Sequence, residues 1–233
     1  MLDALPGFVE RLYLVGSAAL DDYREGVSDL DFVAVLPSAP GPDEVADLAA
    51  VHRALRRSRP LLDGVYLTAA DLAAPPSAAP PRPGVHAHRF SPAGAFGHDP
   101  VTWHTLAHHG IAVRGPEPST LDVHTDAAEL RAWTRANVAS YWRPWLRRRG
   151  HALLTDRGVA WGVLGLARMR YTMATGGIAS KSAAGAWALD AFPDHAQALR
   201  EALRLRAGGP PQFRSRLVRR AAAAAFMRAA SGE

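Results

Sequence analysis

A chain of 233 residues with 48% hydrophobic content can bury one large core or two small ones. It has no cysteine, which excludes a disulfide framework and any thiolate metal site. Its net charge of +5 and pI near 10.2 would suit a nucleic-acid partner. The composition points elsewhere: all 27 basic residues are arginine except Lys181, asparagine occurs only at Asn137, and isoleucine only at Ile111 and Ile178. That is the codon bias of a GC-rich genome more than a binding surface, and nucleic acid is not expected as a partner. No apolar run reaches the ~20 residues that a membrane helix needs. The start, "MLDALPGFVERLYLV", lacks the basic segment and small-residue cleavage site of a signal peptide, so a cytoplasmic protein without membrane association is expected.

In chain order, residues 12–15 predict a strand, and "SAALDDYR" a helix that follows the Gly16-Ser17 turn. Residues 30–36 predict a second strand, and Asp43 an N-cap for a helix of about four turns, "DEVADLAAVHRALRRS". A third strand over 61–68 runs into a short turn that Thr68 would cap. The proline-rich stretch 75–84 predicts a rigid loop and no regular element. A helix over 99–110 stopped by Gly110, a short strand "IAVRG" and a proline-broken segment then close the first half. Helices are expected from Asp126 to about Arg149, over 155–175 up to Gly176 and Gly177, and over 180–191, 194–207 and 212–230. The expected organisation is an α/β domain over 1–120 followed by a helical bundle domain over 121–233.

The chemistry concentrates in "LYLVGSAALDDYREGVSDLDFVAVL" (12–36). Asp29 and Asp31 differ by two, so a strand sets both carboxylates on one face. Such a pair repels itself unless a cation or a proton lies between, and hard oxygen ligands suit magnesium. Gly16 lets the backbone approach a phosphate closely, Ser17 adds a hydroxyl donor, and a helix starting there would add free N–H groups. Asp63 opens the third apolar run as Asp29 and Asp31 open the second; its alternative is a turn residue before Gly64. His104 and His108 stand four apart, with His109 beside them and His86 and His88 upstream. "HTLAH" lacks the glutamate of a zinc protease motif, so a polar surface or a pocket rim is expected of these histidines.

Gly-Ser, a spacer and Asp-x-Asp resemble the signature of the nucleotidyltransferase superfamily of the DNA polymerase β type. "LARMRYTMATGGIASKSAAGAWAL" (166–189) and "DPVTWHTLAHHGIAVRGPEP" (99–118) are similar to the aminoglycoside 3''-adenylyltransferases, which modify streptomycin and spectinomycin. The resemblance implies a polymerase β-like domain with a helical C-terminal domain and an active site in the cleft between them. It implies metal binding by Asp29, Asp31 and Asp63, with Asp63 where the family has a glutamate general base. It also implies nucleotide contacts from Gly16, Ser17, Arg168 and Lys181. The chain departs from the family in having no tyrosine after Tyr171 and in showing "GVAWGV" (158–163) where the family's antibiotic pocket is acidic. Asp156 is the nearby substitute, and Trp103, Trp142 and Trp161 are the available aromatics.

The expected activity is magnesium-dependent transfer of AMP from ATP to a hydroxyl of a small molecule, an aminoglycoside antibiotic being one candidate, by a monomeric enzyme. The alternatives are a nucleic-acid-directed nucleotidyltransferase and a non-catalytic nucleotide-binding regulatory module.

Overall fold

The computed structural model describes residues 7–232; residues 1–6 of the N-terminal stretch lie outside the described residues. The chain divides into two compact units, Met1–Asp126 and Ala127–Glu233. No helix among the described residues is long and apolar enough to cross a membrane.

The first unit is a six-stranded sheet in the order β5-β4-β3-β2-β1-β6. Its elements are β1 (Arg11–Leu14), α1 (Gly16–Ala19), β2 (Leu30–Leu36), α2 (Pro42–Leu55), β3 (Leu62–Thr68), α3 (Ala69–Ala73), β4 (Arg82–His86), β5 (Arg89–Gly94), α4 (Pro100–His109) and β6 (Ile111–Arg114). Among the described residues only β2 and β3 pair in parallel; β1 with β2, β1 with β6, β3 with β4, and β4 with β5 are antiparallel. The strand period sorts the central strands onto two cores. Val33, Val35, Val65 and Leu67 pack with Trp103 and Leu106 of α4, whereas Phe32, Ala34, Leu36 and Tyr66 pack with Leu48 of α2.

Three sequence expectations change here. The helix "SAALDDYR" is a single turn, because Asp21 takes a left-handed φ of +51°, which a short polar side chain tolerates. Asp43 lies in the first turn of α2 and does not cap it: the N-cap is Gly41, whose N–H donates to Glu44 Oε2 at 2.7 Å, and Pro42 fills the position after it. The supposed loop at 75–84 runs into β4, which pairs with β5 as a hairpin. Pro83 is accommodated because the β4–β5 register shifts between Arg82 and Gly84, and Pro92 because β5 is an edge strand. Thr68 does cap α3, its Oγ1 accepting from Asp71 N at 3.2 Å. Asp71 also takes a two-pronged grip from Arg82, Nε to Oδ2 at 2.8 Å and Nη2 to Oδ1 at 2.9 Å, which anchors the root of β4.

The second unit is helical: α5 (Ala127–Asn137), α6 (Arg143–Arg149), α7 (Asp156–Thr175), α8 (Lys181–Ala191), α9 (Ala196–Ala207) and α10 (Arg216–Ser231). The helix expected over 126–149 is divided by a π-helical turn, Val138–Trp142. Pro144 follows it; a proline has no N–H to give and crowds the carbonyl four residues back, which a widened turn relieves. α7 is the axis of the unit, buried along most of its length.

Charge is also buried here. Arg219 of α10 donates to Asp156 Oδ1 at 2.6 Å and to the Leu154 carbonyl at 3.0 Å, and lies 3.4 Å from Glu201 Oε1. Glu201 of α9 takes both prongs of Arg204, at 2.8 and 2.9 Å, and the Gln212 N–H at 2.9 Å. Burial pushes the Glu201 carboxyl up, but these donors outweigh it and hold the group below its usual 4.5. Glu201→Ala would remove one of the two carboxylates that face buried Arg219, leaving Asp156, and would also remove the acceptor of both prongs of Arg204. It should destabilise the protein by about 1.5–3 kcal/mol in denaturant melts. Because the folded carboxyl binds its proton more weakly than the unfolded one, its stabilisation is present above about pH 4.5 and fades as pH falls below that. Glu201→Gln should flatten that acid limb of the stability–pH curve.

Candidate active site

The site grows from one register. Asp31 of β2 and Asp63 of β3 are direct partners in the parallel ladder, so they project from the same face of the sheet at the same level. It is the face of Val33 and Val65, at the strand ends where that core stops. Asp29 precedes Asp31 by two residues, and its charge acts on Asp63. The antiparallel neighbour β1 delivers Gly16 to the same end. The Val15 N–H donates to the Asp31 carbonyl at 3.0 Å, and Gly16 takes φ +60°. A Cβ built on Gly16 would collide with the Asp31 carboxylate. Gly16 is therefore required twice, for its backbone angle and for the space its missing side chain leaves. Ser17 follows in α1, which is one turn long; the helix N-terminus expected there brings little macrodipole.

Asp63 is 4% exposed. Its cross-strand neighbour is His86, because Gly64 pairs with Val85 in the antiparallel β3–β4 ladder. The His86 Nδ1–H donates to Oδ2 and the Ala87 N–H to Oδ1, both at 2.9 Å. Burial raises the Asp63 pKa; the donors at His86 and Ala87 pull it down, Asp29 pushes it up, and the net shift is upward. Both oxygens thus have donors, and among the described residues no group of three or more His, Asp or Glu side chains is assembled to hold a metal.

Arg168 and Lys181 belong to the second unit. Lys181 opens α8 just after the Ser180 N-cap, which accepts from Ala183 N at 3.1 Å. The short connection makes α7 and α8 antiparallel neighbours, and a Cβ on Gly185 would press into Leu164. Arg168 is one turn beyond Leu164 and Lys181 one turn before Gly185, so both cations sit toward the same end of the helix pair.

The aromatic and acidic candidates resolve differently. Trp103 is fully buried, its Nε1 donating to the Ala74 carbonyl at 3.2 Å. Trp142, Trp145 and Trp161 cluster with ring centroids 4.5–6.3 Å apart, Trp142 being buried in the core of the second unit. Asp156, the substitute acid, is engaged by Arg219. His104 is buried and bonds the Asp126 carbonyl at 3.3 Å. His86 is the histidine that hydrogen-bonds Asp63, and the β4–β5 hairpin, which the sequence does not signal, brings it there.

Two family models match separate parts of the chain: the nucleotidyltransferase domain over residues 2–60, and the C-terminal domain of aminoglycoside adenylyltransferases over residues 154–230. The chain is a nucleotidyltransferase-fold protein resembling the aminoglycoside adenylyltransferases. A solved structure of spectinomycin adenyltransferase AAD(9) from Enterococcus faecialis, with ATP and spectinomycin, matches it with a TM-score of 0.74. The match covers 99% of this chain and 94% of that one at 13% identity, a likeness of fold. No curated protein matches the chain significantly in sequence.

Gly16→Ala should shift the Asp31 carboxylate and lower stability by about 1–2 kcal/mol, the cost of a left-handed alanine. A denaturant midpoint equal to that of the unaltered chain would show that neither the angle nor the contact matters.

Proposed function

We propose that the protein transfers AMP from ATP to a hydroxyl of a small molecule and releases pyrophosphate, with aminoglycoside-type antibiotics as the first acceptors to test. The observation that carries this is the pairing of Asp31 with Asp63 beside the Gly16 turn, with Asp29 two residues upstream. The family models support the reaction class. The donor and the antibiotic are carried over from the AAD(9) complex with ATP and spectinomycin.

Asp63 would accept the acceptor's proton. Its raised proton affinity, set by burial and by Asp29, suits a group that must take up a proton as the acceptor oxygen attacks. Magnesium is commonly held by one or two carboxylates together with substrate phosphates. Asp29 and Asp31 fit that demand: two oxygen donors at the start of one strand, next to a third like charge that a cation would offset. The ion, when bound, would neutralise charge on the phosphates. Gly16 and Ser17 would meet the triphosphate through backbone and hydroxyl. Lys181, a compact point charge, and Arg168 would contact the nucleotide.

Incubating the protein with each NTP, magnesium and a panel of aminoglycosides, read by mass spectrometry, tests the reading directly. An acceptor gaining the mass of AMP is expected; no adduct with any pair would overturn it. Asp29→Asn and Asp31→Asn should each abolish the adduct while the circular dichroism spectrum stays unchanged. Near-native turnover of either variant would remove the metal assignment.

Lys181 allows a sharper test. With ATP and magnesium the unaltered protein should gain melting temperature, and both Lys181→Arg and Lys181→Ala should gain less, since binding stabilises only the state that binds. Equal gains in all three would mean that Lys181 does not touch the nucleotide.

A further inference from the structure

The β4–β5 hairpin is built on an unfavourable turn. Its two central residues, Ala87 and His88, take left-handed φ angles of +48° and +67°, where glycine or asparagine is the usual choice. What the turn achieves is aim: the Ala87 N–H and the His86 Nδ1–H reach the two oxygens of Asp63. The side chain of His86 is 59% exposed, yet its ring is pinned. It stacks on Phe96 with centroids 4.2 Å apart and 16° between the planes. At the other end of β4, Arg82 is clamped to Asp71. A strained turn, a stacked ring and an anchored strand all converge on one carboxylate.

We propose that His86 is a positioning residue. Together with the Ala87 N–H it latches the Asp63 carboxylate in the orientation of a proton acceptor. The proposal rests on the assignment of Asp63 as the proton acceptor. A carboxylate oxygen offers two lone-pair directions. One donor on each oxygen fixes the plane of the group and still leaves a lone pair on each for the incoming proton. Without the latch, the carboxylate loses its fixed aim, and a small misplacement of a reacting group is costly in rate.

The test compares the full chain with His86→Ala and His86→Asn, the asparagine amide placing an N–H donor close to the position of Nδ1. Steady-state kinetics with ATP, magnesium and the acceptor found in the panel should show kcat lowered on the order of 10²-fold in His86→Ala with KM for ATP unchanged. Most of that loss should return in His86→Asn. Unaltered kcat in His86→Ala, or an equal loss in both variants, overturns the proposal. A second measurement does not depend on turnover. In ¹⁵N spectra of the protein without ligands, Asp63→Asn should shift the Ala87 amide and the His86 Nδ1 resonances; if neither moves, the latch does not exist. Failure of the unaltered chain to modify any acceptor overturns the proposed function alone, and the spectra still decide the latch.

Discussion

The parallel register of β2 and β3 is the constraint on which the site depends. A parallel pair sets residues of equal position side by side, so an aspartate at the second place of each strand puts two carboxylates on one face. Asp29 adds a third charge close by. Like charges at a strand end favour unfolding unless something offsets them. The neighbours on each side supply part of that offset. β1 brings a residue with no side chain against Asp31, and β4 brings two hydrogen-bond donors against Asp63. Both neighbours are antiparallel to the central pair, which returns the chain to the same end of the sheet.

The central strands and most helices were legible because each carries a strong local signal. "LDFVAVL" is a continuous apolar run, and "LARMRY" to "GGIASK" ends and restarts a helix with Gly and Ser at the positions those conformations demand. The acidic motif was legible for the same reason, being short and local. The hairpin at 82–94 was not. Its prolines speak for a loop, and they fit a strand only because one lies at a register shift and the other on an edge. Missing the hairpin hid His86, since nothing in the sequence near residue 86 refers to residue 63. The Ala87-His88 turn conceals itself further, because neither residue is a turn former at left-handed φ.

The helical unit shows the same divide. The helices that Thr155 and Ser180 cap were legible from local pattern, whereas the joining of Asp156, Glu201 and Arg219 draws on three separate helices. That joining bears on the acceptor. Asp156 was the candidate to replace the acidic lining of an antibiotic pocket, and its pairing with Arg219 offsets the negative charge a cationic drug would seek. The match to the adenylyltransferase C-terminal domain thus extends over a helix whose first residue, Asp156, is exposed but tied to Arg219.

Two buried carboxylates in this chain make the distinction between structure and chemistry explicit. Glu201 is 1% exposed and Asp63 is 4% exposed, so neither has ready access to water. Glu201 faces guanidinium groups that are always charged, and its proton affinity falls below the ordinary value. Asp63 faces an imidazole, one backbone N–H and another carboxylate, and its proton affinity rises. Burial is common to both; the permanence of the neighbouring positive charge differs. An acid held by fixed cations keeps its charge and ties helices together. An acid held by weaker donors near a like charge binds a proton more readily, the property that the base proposed above would use and a structural ion pair must avoid.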